Sequence, residues 1–449
     1  MPVNTQLLTT QADLLRRGLT DLRVQDAELA QILDAEVTRQ HRTLSLVSSS
    51  CAVNPRTLAA SASALVNVTA EGTPGRRYNA GCENVSLVES LAIRRARALF
   101  GAQYANVQPH SASNANYQVL TGLLEPGDTL LGMAVEHGGH FTHGSTAAFS
   151  SDHYKAIQYG TTSQGLIDYD EVRTLALAHR PRIIMCCATA YSRIVDFERF
   201  REIADEAGAI LLADISHIAG LVATGRHPSP IDVAHVTTTC THKQLMGPRG
   251  GLILCGRDAN TKVPGLRTTF SRALDHAVFP GMQGAPAVNM IAAKATALGH
   301  AMSAEFDAYM ARIRHTADEL ATAFQAHDYE VVGGRSENHT ILLRLRSGIT
   351  GAIAESALEQ CGIIVNRHRV PGEARSSSVT SGLRIGTGSI AQRHIDSRGC
   401  RQIVDLMCRI LDQVTALGER DYTLEHSARD QFRLQTEALC TLYPIADYA

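Results

Sequence analysis

The chain has 449 residues, 44% of them hydrophobic and 19% charged, long enough for two or three domains with their own cores and unlike a disordered, collagen-like or coiled-coil chain. Its 42 basic residues nearly balance 44 acidic ones, leaving a formal charge of -2 that supplies no basic field for nucleic acid and no polybasic face for a membrane. A small-molecule partner is expected.

Ten cysteines form no C-x-x-C pair, and adjacent Cys186 and Cys187 fall in an apolar run that reads as a buried strand, so reduced structural thiols are expected. The opening MPVNTQLLTTQADLLRRGLTD lacks a basic patch followed by an apolar stretch, and no run approaches membrane-spanning length. A cytoplasmic protein without a secretory signal is expected.

Residues 1–43 read as a helical arm, with Leu29, Ile32, Leu33 and Val37 on one side. Over 44–290 short apolar runs alternate with amphipathic stretches, the pattern of a mostly parallel sheet covered by helices. The clearest unit is RIIMCCATAY, then DFERFREIADEAG with Phe197, Phe200 and Ile203 inward, then AILLADIS: a strand, a helix and a strand in a βαβ crossover. VFPGMQGAP punctuates the end of that region, and a long helical pattern follows through EFDAYMARIRHTADELATAFQAH. The runs EVVGG, HTILLRLR and IIVNRHRV, with helices such as IAESALEQCG, predict a smaller α/β domain over 291–449.

Asp214 ends the run AILLAD, where open parallel sheets place their ligands, and His217 follows three residues later. VTTTCTHK ends in His242 and Lys243 and leads into GPRGG with Arg249. A lysine among uncharged neighbours loses its proton more readily, as Schiff-base chemistry with an aldehyde cofactor requires. Only four lysines compete, against 38 arginines: Lys262 is in a polar loop, Lys155 in a surface-like stretch, and Lys294 on a helix where its stem can cover apolar surface. The ordinary reading of a lysine is a solvated charge. Asp214, His242 and Arg249 set Lys243 apart.

Pyridoxal phosphate needs such a lysine, a carboxylate for its ring nitrogen and an anion site for its phosphate. Ser111 and Ser113 lie between strand-like YANVQPH and helical NYQVLTGLL, where hydroxyls and free N–H groups meet an anion; taken alone they read first as helix caps, and only the combination with Lys243 and Asp214 points to a phosphate. His137, His140 and His143 in VEHGGHFTHG invite a metal reading, but no cysteine or carboxylate ligand set accompanies them, so no metal is expected; an imidazole stacked on a flat ring is the better reading. Glu71, in NVTAEGTPGRRYNAGCE, is a candidate general acid or base, or a solvated loop residue.

From about Leu44 onward the stretches AEGTPGRRYNAGCENV, YANVQPHSASNAN, LLEPGDTLLGM, EHGGHFTHG, DISHIAGL, THKQLMGPRGG, VFPGMQGAP and VTSGLRIGT resemble the serine hydroxymethyltransferase family, in order and spacing. The resemblance implies an α/β fold type I pyridoxal-phosphate-dependent transferase, with Lys243 as Schiff-base lysine, Asp214 on the pyridine nitrogen, His140 stacked on the ring, and Ser111, Ala112 and Ser113 at the phosphate. Thr189, where the family usually has serine, His217, His242, Gln283 and Gly284 complete the cofactor contacts. Arg384, assisted by Ser49, would bind the substrate carboxylate, and Thr69, Tyr78 and Asn79 would face the amino acid. Glu71 would handle protons on a loop that crosses from a partner subunit, which implies a homodimer or a dimer of dimers. Tetrahydrofolate is the implied co-substrate, with Asn338, the backbone of Gly138 and Gly139, and Phe279 at the pterin or its linker.

Several positions depart from the family. Ser49, Ser50 and Cys51 replace Ser-Glu-Asn; Thr69, Thr73 and Asn79 stand where tyrosines are usual; Ala285 replaces a glycine and Gly388 a proline. Short polar side chains in place of aromatic rings open space near Cα, so the expected substrate is serine or an α-substituted serine such as α-methylserine, with D-alanine as the product of the latter. The competing class is a folate-independent threonine-type transaldolase or aldolase, with Phe141 and Glu136 crowding or recharging the folate entrance. A non-catalytic binding subunit is a third reading, against which Lys243, Asp214, Arg384 and Glu71 argue.

Overall fold

The computed structural model describes residues 9–448. Residues 1–8, the start of the expected arm and of the segment read as lacking a signal, and Ala449 lie outside the described residues. Seven strands build the main sheet: β1 (Tyr104–Asn106), β2 (Thr129–Met133), β3 (Lys155–Tyr159), β4 (Ile183–Cys186), β5 (Ile210–Asp214), β6 (Val236–Cys240) and β7 (Gly251–Cys255), in the order β1-β7-β6-β5-β4-β2-β3. Every neighbouring pair is parallel except those of β7, which runs antiparallel to β6 and β1. The central strands are near-continuous apolar runs because both faces of the sheet are covered.

The expected βαβ unit is present. Helix Phe197–Ala207 buries Phe197, Phe200 and Ile203 and links β4 to β5, whose pairing is parallel from Ile183↔Ile210 to Cys186↔Ala213. A smaller antiparallel sheet, β8 (Glu330–Val331), β9 (Thr340–Arg344), β10 (Asn366–His368) and β11 (Gly382–Gly386), has the order β8-β9-β11-β10. Leu44–Ser45 pairs in parallel with Ile363–Ile364, so Leu44 and Leu46 join the core beneath this smaller sheet.

The helices that matter below are α1 (Gln11–Gln25), α2 (Ala27–Arg42), α3 (Glu83–Phe100), α4 (Ala112–Leu123), α5 (Val288–Ala301), α6 (Ala304–Ala326) and α7 (His426–Leu442). The arm is two helices rather than one: Asp26 ends α1 and caps α2 by accepting from the Leu29 N–H. Leu29, Ile32, Leu33 and Val37 do line one side of α2, but that side is exposed, Ile32 at 58%. Helix α6 spans the two cores, with Phe306, Met310 and Ile313 in the larger and Leu320 and Phe324 in the smaller. All ten cysteines are free thiols, nine of them buried. Among the described residues no helix is long and apolar enough to cross a membrane.

One guanidinium joins the arm to the C-terminal helix. Fully buried Arg393 donates through Nη2 to the carbonyls of Gln40 (2.8 Å), His41 (3.3 Å) and Thr43 (3.1 Å), and through Nη1 to Tyr443 (2.8 Å) and Cys440 (3.4 Å). Carbonyls at the ends of α2 and α7 lack helical partners and carry the negative end of the helix dipole, so a planar cation satisfies both at once. Replacing Arg393 by Met strands these acceptors in the interior. The expected loss is about 3 kcal/mol or more, read as a lower denaturant midpoint, with proteolysis opening first in the arm and α7.

Candidate active site

Because every strand of the main sheet but β7 runs the same way, the segments leaving those strands at their carboxyl ends emerge on one edge. β1 leads to Ser111, β2 to His140, β4 to Thr189, β5 ends in Asp214, and β6 leads to Lys243.

Asp214 is buried, and its carboxylate is held from three directions. Oδ2 accepts from Asn116 Nδ2 (2.8 Å) on α4 and lies 3.4 Å from His143 Nε2, while Oδ1 accepts from the Ser216 N–H (3.0 Å) and hydroxyl (2.5 Å). Thr238 on β6 donates to Asn116 Oδ1 (2.6 Å) and so fixes which way the amide faces. Burial by itself would raise the carboxyl pKa; the His143 hydrogen bond and charge, then His140 and Ser216, outweigh it and hold the group below the ordinary carboxylate range.

His140 follows a tight turn in which Gly138 has φ 101° and a Cβ on Gly139 would overlap the Met133 carbonyl. Its Nδ1 accepts from the Thr142 N–H (3.2 Å) and lies 2.8 Å from the Thr142 hydroxyl, which in turn accepts from Asn116 Nδ2 (2.8 Å). Burial, then His143, pushes the His140 pKa down to about 4, leaving a neutral ring. The three closely spaced histidines have separate partners: His137 bonds Thr161, His140 bonds Thr142 and His143 bonds Asp214. Among the described residues no group of histidine, cysteine and carboxylate side chains assembles that could hold a metal ion.

Cys187, with a left-handed φ of 82°, turns the chain after β4 so that the Thr189 N–H (2.7 Å) and hydroxyl (3.0 Å) both reach the Gly138 carbonyl. Arg384 on β11 reaches in from the smaller sheet, donating from Nη1 to the Thr189 carbonyl (3.2 Å) and from Nη2 to Asn366 Oδ1 (3.1 Å). Lys243 is partly buried. Desolvation lowers its pKa, Cys240 and Asp214 oppose that, and Arg384 and Arg249 add to it. His217 stacks on His339 at 5.8 Å and 25° between planes, and His242 Nε2 lies 3.3 Å from Arg249 Nη1. Ser111 caps α4, accepting from the Asn114 N–H (3.1 Å), with Ala112 and Ser113 in the first turn. Asn338 is held by its amide to the Tyr191 carbonyl (2.8 Å), and Ser49 lines an opening with His242 and Arg249.

The remaining expected residues form a second group. Glu71 and Asn79 close a hairpin, the Glu71 N–H donating to Asn79 Oδ1 (3.0 Å). That hairpin is fixed by the buried Arg77–Glu89 pair (2.5 Å) and by Gln108 Nε2 donating to the Gly72 carbonyl (2.9 Å). Tyr78, 77% exposed, meets Phe279 at a ring distance of 5.5 Å, and a Cβ on Gly284 would lie 3.4 Å from Glu71 Oε1. Gln283 is gripped by Gln118 (2.9 Å) and donates to the Gln108 carbonyl (3.2 Å); Thr69 is exposed. Among the described residues no hydrogen bond joins Glu71, Tyr78, Asn79, Phe279 or Gly284 to Lys243, Asp214 or Arg384.

Asn116, Thr142, Ser216, Thr238, His339 and Asn366 were not among the expected site residues. Asn116 falls inside the SASNAN run, one helical turn beyond Ser113, and was the one of these open to detection from spacing.

A pyridoxal phosphate group suits this edge. Arg384 Nε, His217 Nδ1 and His242 Nδ1 are buried without partners, polar atoms of the kind that a bound polar group satisfies. Their charges and that of Lys243 influence one another, and among the described residues Lys243 is the lysine that feels the Asp214 carboxylate. A parallel-sheet edge presenting that set defines a pyridoxal-phosphate-dependent transferase of fold type I. The family model for serine hydroxymethyltransferase matches residues 22–407. The chain is 46% identical to the serine hydroxymethyltransferase of Marinobacter nauticus over 422 residues, 94% of this chain and 97% of that one. It is 46% identical over 426 residues to serine hydroxymethyltransferase 1 of Pseudomonas aeruginosa, covering 94% and 98%, and 48% identical over 390 residues to the Coxiella burnetii enzyme, covering 87% and 91%. The chain belongs to the serine hydroxymethyltransferase family.

Borohydride reduction of the holoprotein followed by peptide mapping is expected to find the cofactor on Lys243 alone. Label on Lys155, Lys262 or Lys294 instead would contradict the assignment of Lys243.

Proposed function

We propose that the protein transfers a one-carbon unit reversibly between a β-hydroxy amino acid and tetrahydrofolate, and that its preferred amino acid is a serine bearing an α-substituent, such as α-methylserine. Pyridoxal phosphate, when bound, supplies an electron-accepting ring conjugated to Cα of the amino acid. Lys243, its ammonium proton weakened by burial, would hold the cofactor through its amine. Asp214, held ionised, would pair with the ring nitrogen of the bound cofactor, and the neutral His140 imidazole would stack on its ring. Arg384 offers its planar fork to the substrate carboxylate, which orients the bond to be broken at Cα. Glu71 moves the proton at the one-carbon unit, and Gly138, Gly139, Phe279 and Asn338 bind the folate.

The observation that carries the substrate preference is the hairpin chemistry. Thr73 and Asn79 flank Glu71, and Asn79 is hydrogen-bonded to it, where the family resemblance leads one to expect tyrosines. Filling the freed space with a methyl group is worth about 1 to 3 kcal/mol, a preference of about tenfold or more. The kcat/KM for α-methylserine is therefore expected to exceed that for serine by about tenfold, and the double variant Thr73→Tyr/Asn79→Tyr to reverse the order. Equal or faster turnover of serine by the unaltered protein would sink the preference. Aldehyde release that needs no folate would select the transaldolase reading instead; Glu136, which that reading sets at the folate entrance, pairs with Arg369 (3.6 Å) beside His137 and His368.

The separation of the hairpin group from the lysine group supports a shared site in which Glu71, Tyr78 and Asn79 of one subunit complete the Lys243 centre of another. Mixing Glu71→Gln and Lys243→Ala proteins after dissociation and reassociation is expected to restore about a quarter of the unaltered activity, since half the dimers are mixed and each holds one intact site. A site contained in one chain would restore none.

A further inference from the structure

Lys294 carries a charge that none of the roles above employs. Its sequence setting suggests a stem lying over apolar surface, but on α5 the residue is only 1% exposed. Its Nζ donates to the carbonyls of Val107 (2.6 Å), Pro109 (2.8 Å) and Gly251 (3.1 Å). Three acceptors match an ammonium, because a neutral amine has two hydrogens and would turn its lone pair on the third carbonyl.

Two of those carbonyls, Val107 and Pro109, belong to the backbone from which Ser111 and the start of α4 project, and the third, Gly251, opens the neighbouring strand β7. Val107 and Pro109 bracket Gln108 just ahead of Ser111. The Gly251 N–H donates to the Pro109 carbonyl (2.9 Å), and a Cβ on Gly251 would overlap the Ser111 carbonyl. A trans peptide is planar, so turning the Pro109 C=O toward the ammonium aims the His110 N–H to the opposite side. The titratable groups facing Lys294 are Glu89 on α3 and exposed His110. Glu89 is already taken at both oxygens, by Arg77 (2.5 Å) and Gln108 (2.8 Å), so the ammonium has neutral ligands only. Burial pushes its pKa down to about 7 while Glu89 pulls it up, and an anion close by would favour the protonated form further.

We propose that Lys294 is a positioning residue for the cofactor phosphate. Its ammonium holds the 107–111 backbone in the shape that presents Ser111, Ser113 and the α4 N–H groups, and places positive charge behind them. The proposal rests on the reading of Ser111 and Ser113 as the phosphate site.

The test uses the full-length apoprotein in four forms: unaltered, Lys294→Met, Gly250→Ala and Ser111→Ala/Ser113→Ala. A Cβ on Gly250 would overlap Lys294 Cε and lie 2.9 Å from Nζ, so Gly250→Ala displaces the ammonium while keeping its charge. Each form is titrated with pyridoxal phosphate and with pyridoxal, which lacks the phosphate, and its fold is checked by circular dichroism and Tm. Lys294→Met is expected to weaken pyridoxal phosphate by about tenfold, the scale of a charge-assisted contact, and pyridoxal by much less. Gly250→Ala should move the same way by a smaller factor, and it decides the matter should Lys294→Met not fold. Equal loss of both ligands, or an unchanged ratio in both variants while the serine pair loses its phosphate preference, overturns the role of Lys294. An unchanged ratio in the serine pair overturns the phosphate-site reading instead.

Discussion

An ionised carboxylate at the end of the central strand governs how this molecule is assembled. Taking Asp214 out of water is costly, and only hydrogen bonds from several directions hold it charged there. Asn116 comes from helix α4, His143 from the loop after β2, Ser216 from the turn after β5 itself, and Thr238 on β6 orients the asparagine. Four separate stretches of chain must therefore arrive together before the carboxylate is satisfied. The same loops carry His140, Lys243 and Ser111, so the proposed chemistry inherits its geometry from the requirement to solvate one buried charge.

A second constraint divides the expected residues into two groups. The hairpin with Glu71 and Tyr78 is anchored by the buried Arg77–Glu89 pair and by Gln108, and these hold it beside Phe279 and Gly284 rather than over Lys243. Tyr78 and the apolar side of α2 are exposed in the single chain. Such an arrangement is economical for a symmetric assembly, where a surface that closes one subunit's cleft is itself covered by the same contact. That reasoning supports the shared-site reading without relying on any one side chain.

Much of this was legible in the amino-acid sequence wherever a single segment determines its own fate. The β4–helix–β5 unit follows from two apolar runs around a one-sided helix, and Asp214 and Lys243 mark themselves by ending one strand and following another in a parallel pattern. The departures Thr73 and Asn79 could be read by eye. What could not be read were contacts whose partners lie far apart in the chain: Asn116 is 98 residues from Asp214, and Arg384 is 195 from the Thr189 carbonyl that it meets. The outward-facing side of α2 was hidden for a different reason, since helical periodicity identifies an apolar face and not what covers it.

Buried cations were the hardest to foresee, because a lysine or arginine considered alone is normally solvated. Arg393 and Lys294 are both fully buried, and both are liganded by backbone carbonyls rather than carboxylates, yet they are not interchangeable. At 393 the acceptors are spread over two helix ends and the segment after α2, which a flat guanidinium with several fixed donors can span. At 294 three carbonyls converge on one point, and the wall at Gly250 is so close that a single added methyl group would overlap Cε. A compact ammonium fits there and a planar fork does not. In a chain with 38 arginines and four lysines, lysine stands at 294 because the geometry of the carbonyls admits only a point-like donor.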